Sequence, residues 1–239
     1  MAQVFPQAAN SVAKLSLVLA VLAPAGLLYT ASAVTRSPYN TKVDVPLDQP
    51  VKFSHAHHAV ELGIDCRYCH STVEKSSFAG IPPTHTCMSC HSQIWTNSPL
   101  LEPVRESFRT GVPLAWNRVN KLPEFVYFNH AIHVNRGVSC NFCHGAMNQM
   151  QLTAKGKTFF MSWCLECHKA PEKFVREPGS VFRLYQKIQS GETLDPEEQA
   201  LAAGRAYTRT GEQLERGRQL VKQYRIDTDQ LTDCWVCHR

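Results

Sequence analysis

The 239-residue sequence predicts a mostly α-helical chain with extensive loops, behind a single apolar N-terminal helix. Three observations carry that expectation. All ten cysteines fall into five C-x-x-C-H pentapeptides. A phenylalanine-histidine pattern recurs once with the same internal spacing. A stretch of 20 residues near the N-terminus carries no charge.

The apolar stretch comes first. Leu15 to Val34 reads LSLVLAVLAPAGLLYTASAV, bracketed by Lys14 and Arg36. As a helix it would be about 30 Å long, enough to cross the hydrocarbon of a bilayer. The competing reading is a cleaved signal peptide, with Ala31-Ser32-Ala33 as its processing site. The stretch is longer than an ordinary signal core and its leading segment is only weakly basic. Residues 1–34 are therefore read as a retained anchor. Pro24 in mid-segment predicts a kink, and a neighbouring helix to satisfy the freed carbonyl. Residues 35–50 read as an extended tether.

The pentapeptides follow: Cys66, Cys69 and His70; Cys87, Cys90 and His91; Cys140, Cys143 and His144; Cys164, Cys167 and His168; Cys234, Cys237 and His238. No cysteine is left over. Two thiols three positions apart reach the two vinyl groups of one porphyrin, and the adjoining histidine lies beneath its iron as an axial ligand. Five disulfides would not require a histidine after every second cysteine. Zinc sites would use C-x-x-C units in pairs, and five is odd. The pattern predicts five haem c groups, held through the ten cysteines and ligated by His70, His91, His144, His168 and His238.

Six of the eleven histidines remain. Phe53-Ser-His55-Ala-His57-His58 precedes the first pentapeptide, and Phe128-Asn-His130-Ala-Ile-His133 precedes the third. Phe53 to Phe128 is 75 residues, Cys66 to Cys140 is 74 and Cys87 to Cys164 is 77. This is an internal repeat of two dihaem modules, 51–115 and 116–178, followed by a fifth haem in 179–239. Histidines at i and i+3 leave one face of a helical turn, so each pair can serve two neighbouring irons. His55, His58, His130 and His133 are the expected distal ligands. His57 points elsewhere and is read as exposed or as support for a neighbour. His85 is a weak candidate, because the second module has Met161-Ser162 at the matching place. One iron then lacks an imidazole. A methionine thioether is the usual substitute and raises the potential. Met150 is preferred, with Met161 as the alternative and Met147 behind them; Met88, between paired cysteines, is badly placed.

The repeated pattern resembles class III cytochromes of the c3 and c7 type. The stretches 50–91, 116–134, 140–150, 161–168 and 231–239 are similar to the pentahaem c-type cytochrome subunit of alternative complex III, often called ActA. The resemblance runs from about residue 12 to the C-terminus and is weakest over 175–225. Two departures stand out: relatives often have histidine where this chain has Asn120, and lysine near His85. The resemblance implies an electron-transfer subunit, not an enzyme by itself, in a complex that oxidises quinol in a respiratory or photosynthetic chain. It further implies membrane-integral quinol-binding subunits, an iron-sulfur/molybdopterin-like peripheral subunit, monohaem cytochrome c subunits and a soluble periplasmic acceptor. Alternatives are a stand-alone quinol dehydrogenase of the NapC/NrfH type and a multihaem reductase; the latter needs an open distal site. Haem attachment to C-x-x-C-H takes place outside the bacterial inner membrane, so the haem domain is expected in the periplasm, with one span behind it.

Residues 179–226 lack cysteine and are rich in charge. Val181, Phe182, Tyr185 and Ile188 repeat at helical spacing. Asp195-Pro196-Glu197-Glu198 reads as an N-cap, an N1 proline and a capping-box glutamate. Leu214, Leu220, Val221 and Tyr224 suggest a further helix. The segment is either a spacer that positions the fifth haem or a docking surface. The formal charge of +5 is offset by haem propionates, and no aromatic-interleaved basic stretch points to nucleic acid.

Overall fold

A computed structural model describes residues 4–6 and 8–238. The described residues are mostly helical. Among them there is no sheet, only isolated bridges such as Val43 with Lys155 and Pro46 with Ala154. Two units are present, Met1–Lys42 and Val43–Arg239.

In the first unit, helix α1 spans Ala9–Arg36 and α2 spans Pro38–Thr41. None of α1 is buried, and an 18-residue window within it has a mean hydropathy of 2.0. Length and composition suffice for a membrane span. The helix runs through Pro24. Thr30 and Thr35 turn their hydroxyls back onto carbonyls one turn earlier, which keeps those polar groups out of an apolar surrounding.

The second unit is built from short helices, five of which carry a cysteine pair. A single π-helical turn covers Ala56–Glu61, led by His55. Then come α3 (Cys66–Cys69), α4 (Thr84–His91), α5 (Glu102–Thr110), α6 (His130–Val134), α7 (Cys140–His144) and α8 (Met161–Lys169). A second group follows: α9 (Ser180–Ser190), α10 (Pro196–Ala202), α11 (Gly211–Gln223) and α12 (Cys234–Cys237). Asp65, Ser139 and Asp233 stand at the N-caps of α3, α7 and α12 in extended conformation, so these helices begin at their first cysteine.

The side-chain core is small. Fourteen hydrophobic residues are buried among those described, and ten of them form three separate clusters that each abut a C-x-x-C-H motif. Val73, Val134, Val181 and Phe182 pack with Cys66 and Cys140. Val51, Leu101 and Val104 pack with Cys87 and Met88. Leu184, Leu201 and Ala202 pack with Phe142 of the third motif. A chain of this size whose apolar clusters gather around cysteine pairs is short of core unless large apolar groups complete it.

Two expectations need refining. The segment read as an extended tether is not extended throughout, since α2 occupies Pro38–Thr41; beyond it Asp44 N–H donates to Lys155 O at 2.9 Å, and Gln49 and Asn117 exchange two hydrogen bonds of 2.8 and 2.9 Å. The charge-rich segment spends its apolar residues inside the chain. Val181, Phe182, Leu184 and Tyr185 of α9 are buried, and Gln189 at its end donates to Ala59 O at 2.7 Å. The capping box forms on α10, with Glu198 N–H on Asp195 Oδ1 at 2.8 Å and Asp195 N–H on Glu198 Oε2 at 3.1 Å. Glu197, buried, is clasped by Arg176 and by Arg209, the latter at 2.8 Å. Such a triad is costly to break from one side, because it strands a buried charge.

Candidate haem-binding sites

Each C-x-x-C places its two sulfurs on one face of a single helical turn, since residues three apart are neighbours on a helix. None of the ten cysteines forms a disulfide. Burial pushes the Cys66 and Cys167 thiols up to about 12, and raises Cys143 as well. Thiols kept neutral in an apolar setting suit a thioether, which carries no charge. Among the described residues no cluster of three or more His, Cys, Asp or Glu side chains could hold a bare metal ion.

The histidines supply the strongest test of fit. An iron between two imidazoles holds the ring centroids about 6 Å apart, given a metal–nitrogen bond of about 2 Å on each side and roughly 1 Å to each ring centre. His130 and His144 have centroids 6.3 Å apart with rings 3° from parallel. His133 and His168 stand at 6.3 Å and 28°. His58 and His91 stand at 6.2 Å and 67°. Burial lowers His55 to about 4, and the nearby ring of His70 is the next cause. His144 is likewise lowered to about 4 by burial, with His130 beside it. Neutral imidazole is the form that binds iron.

The other ring nitrogen is also occupied as ligation requires. A metal-binding histidine generally donates its second N–H to an oxygen, which fixes ring and tautomer. Nδ1 of His58 faces Ser54 O at 2.8 Å, that of His133 faces Asn129 O at 2.8 Å, and that of His130 faces Ser77 O at 2.8 Å. His70 faces Gly80 O at 2.7 Å, His91 faces Ile94 O at 3.1 Å, and His168 faces Leu231 O at 2.9 Å. His238 faces Phe125 O at 3.2 Å, and His55 faces the Thr153 hydroxyl at 3.3 Å. Nε2 of each of these rings is then the nitrogen that would bind an iron.

The two modules repeat this geometry. Phe53 stacks on His58 at 4.3 Å and meets His55 edge-on at 4.9 Å. Phe128 stacks on His133 at 4.4 Å and meets His130 edge-on at 4.9 Å. The phenylalanine of F-x-H-x-x-H is thus the wedge that sets the angle between the two imidazoles. The turns differ, π-helical over Ala56–Glu61 with His55 at its N-cap and α-helical over His130–Val134, yet both carry the pair on one face. Single π turns gather at functional sites.

The weaker candidates lie elsewhere. His57 contacts Glu61 at 2.7 Å and stacks on Trp95 at 6.2 Å, on the outer side of its turn. His85 meets Phe108 at 4.9 Å. Met150 packs its methyl against Gly145 beside the third motif, and its carbonyl accepts from Ala56 N–H at 3.0 Å. Met161 is exposed at the start of α8, one turn before Cys164. Asn120 Oδ1 is buried without a hydrogen-bond partner.

A curated protein of Nitratidesulfovibrio vulgaris, the multihaem cytochrome c subunit of a menaquinone reductase, is similar to this chain. It is 39% identical over 98 residues, which is 41% of this chain and 46% of that protein. The chain spans about half the length of the curated relative that it matches. No family model matches the chain. The similarity is to a multihaem cytochrome c, and the five C-x-x-C-H pentapeptides are the residues that such a protein uses to hold haem.

The oxygens behind the imidazoles are only partly legible in the sequence. Ser54 and Asn129 lie four residues before their histidines, a local signal. Ser77, Leu231 and Phe125 reach their rings from 53, 63 and 113 residues away, and nothing in the sequence pairs them.

Proposed function

We propose that this chain is an electron-transfer subunit carrying five covalently bound haem c groups inside a membrane-bound quinone oxidoreductase complex. The observation that carries it is the set of imidazole pairs 6.2 to 6.3 Å apart behind C-x-x-C-H turns, with His58, His91, His130, His133 and His168 each fixed through Nδ1. When bound, haem supplies an iron that cycles between ferric and ferrous. The protein's part is to hold the sites close and to keep both axial positions filled, so that no substrate binds at iron. On this reading the chain is not an enzyme by itself.

His58 pairs with His91, His130 with His144, His133 with His168 and His55 with His70. The site of His238 takes a thioether. Met161 lies on the helix whose Cys164 neighbours Cys237, which favours it there. Met150, beside the third motif, is the alternative. The apolar helix serves as a retained inner-membrane anchor with the haem unit in the periplasm. One span can hardly enclose a quinone pocket, so quinone chemistry belongs to membrane-integral partners.

The resemblance to the pentahaem subunit of alternative complex III favours the quinol-oxidising direction, towards monohaem cytochrome c subunits, an iron-sulfur/molybdopterin-like subunit and a soluble periplasmic acceptor. A second direction has its own support: the similar protein of N. vulgaris is part of a menaquinone reductase. Mild detergent extraction decides. Co-purified subunits with quinol-driven reduction of the haems support oxidation. Haems oxidised by added menaquinone support reduction. A mature chain without five porphyrin increments of mass would sink the whole reading.

A further inference from the structure

We propose that the five attachment sites stand in space in the order second, first, third, fourth, fifth, so that the electron path departs from chain order and its ends are the second and fifth sites. The proposal rests on the reading of the chain as a haem carrier.

Each junction is marked by direct contacts. The first and second motifs meet where the Tyr68 hydroxyl lies 2.7 Å from Ser89 Oγ, with the sulfur of Cys69 near that of Cys87. The first and third meet across the intermodule boundary. Cys66 and Cys140 pack on one cluster of Val73, Val134, Val181 and Phe182. The loop after His70 reaches over α6, where Ser77 O accepts from the His130 ring at 2.8 Å and Ser76 O from Ala131 N–H at 3.1 Å. The first motif is therefore sandwiched between the second and the third.

The third and fourth motifs are joined by α6, whose two histidines face one motif each, and by Phe142 stacked on Trp163 at 5.7 Å and 24°. The fourth and fifth are joined by Leu231 O, which accepts from the His168 ring at 2.9 Å. Among the described residues no hydrogen bond or ring stack joins the second motif to the third. One electron leaves each site as its neighbour is reduced. A quinone-class partner and a second redox partner therefore meet opposite ends of the series.

The order is tested by counting neighbours. Replacing an axial histidine by methionine raises the potential of that haem, and charge on one haem moves the potentials of those next to it. His58→Met alters the second site. In the proposed order it shifts the midpoint of one other haem, because the second site is terminal. His55→Met alters the first site and shifts two. Spectroelectrochemistry of the purified, haem-loaded full chain reads both counts, with EPR to separate the haems. If His58→Met moves two other haems, the order is overturned in favour of chain order. If His55→Met moves only one, it is overturned as well. Either variant alone decides. A chain that holds five porphyrins but shows chain-order coupling refutes the order and leaves the haem-carrier reading standing, whereas a chain lacking the porphyrins refutes that reading.

Discussion

At the scale of single residues, the argument turns on what stands behind each imidazole. His133 is clamped twice, by Asn129 O on Nδ1 and by Phe128 stacked on its face. On the proposed pairing, His133→Ala would leave the site of His168 without its second axial imidazole. We expect one of five low-spin signals to become high-spin and the reduced protein to bind carbon monoxide at one haem. His57→Ala removes only a half-exposed ring on Glu61 and Trp95, and should leave all five signals unchanged; a lost low-spin signal there would make His57 a ligand. Phe128→Leu keeps the bulk near the ring but not the stacked face. It should retain every haem and alter the EPR g-values of two, because the phenyl touches both His130 and His133. The grouping of these rings was legible in the sequence, since the F-x-H-x-x-H repeat holds the phenylalanine and both histidines within six residues. The role of Ser77 O was not, because it depends on a loop that closes over α6 from another module.

At the scale of elements, the short helices were legible wherever a cap or a cysteine pair announced them. Asp195-Pro-Glu-Glu198 encodes its own start, and α10 begins there. Asp195→Ala removes one side-chain bond to the first turn and should cost about 1 kcal/mol in denaturant unfolding of the haem-loaded chain. Gly217 in α11 tests packing instead. A methyl group added there would stand 1.9 Å from Glu172 O, so Gly217→Ala must push α11 off the turn at Pro171–Lys173. We expect a larger loss than at Asp195, and an equal or smaller one would mean the helix slides without resistance. That approach could not be foreseen, because the glycine reads locally as a weak spot in a helix, and only the neighbouring segment makes it necessary. The destination of α9 was hidden in the same way. Its periodicity predicts one apolar face, but not that the face fills the space between the first and third motifs.

At the scale of the whole chain, the division into Met1–Lys42 and Val43–Arg239 decides what can be separated. No residue of α1 is buried, and the clusters that gather around the cysteine pairs are made of residues beyond 50. Every histidine and every oxygen found behind an imidazole is likewise in the second unit. A chain beginning at Val43 and exported behind a foreign signal should therefore take up five haems and stay in solution without detergent. The same low-spin spectrum as the full chain is expected. What it should lose is the quinone-linked reaction, because the membrane partners would no longer hold it. Five haems in a soluble fragment, with its redox response to quinone gone, would assign the first unit to anchoring alone. Failure to load haem would mean that α1 takes part in folding the second unit, and the separation argued from the helix's full exposure would have to be given up.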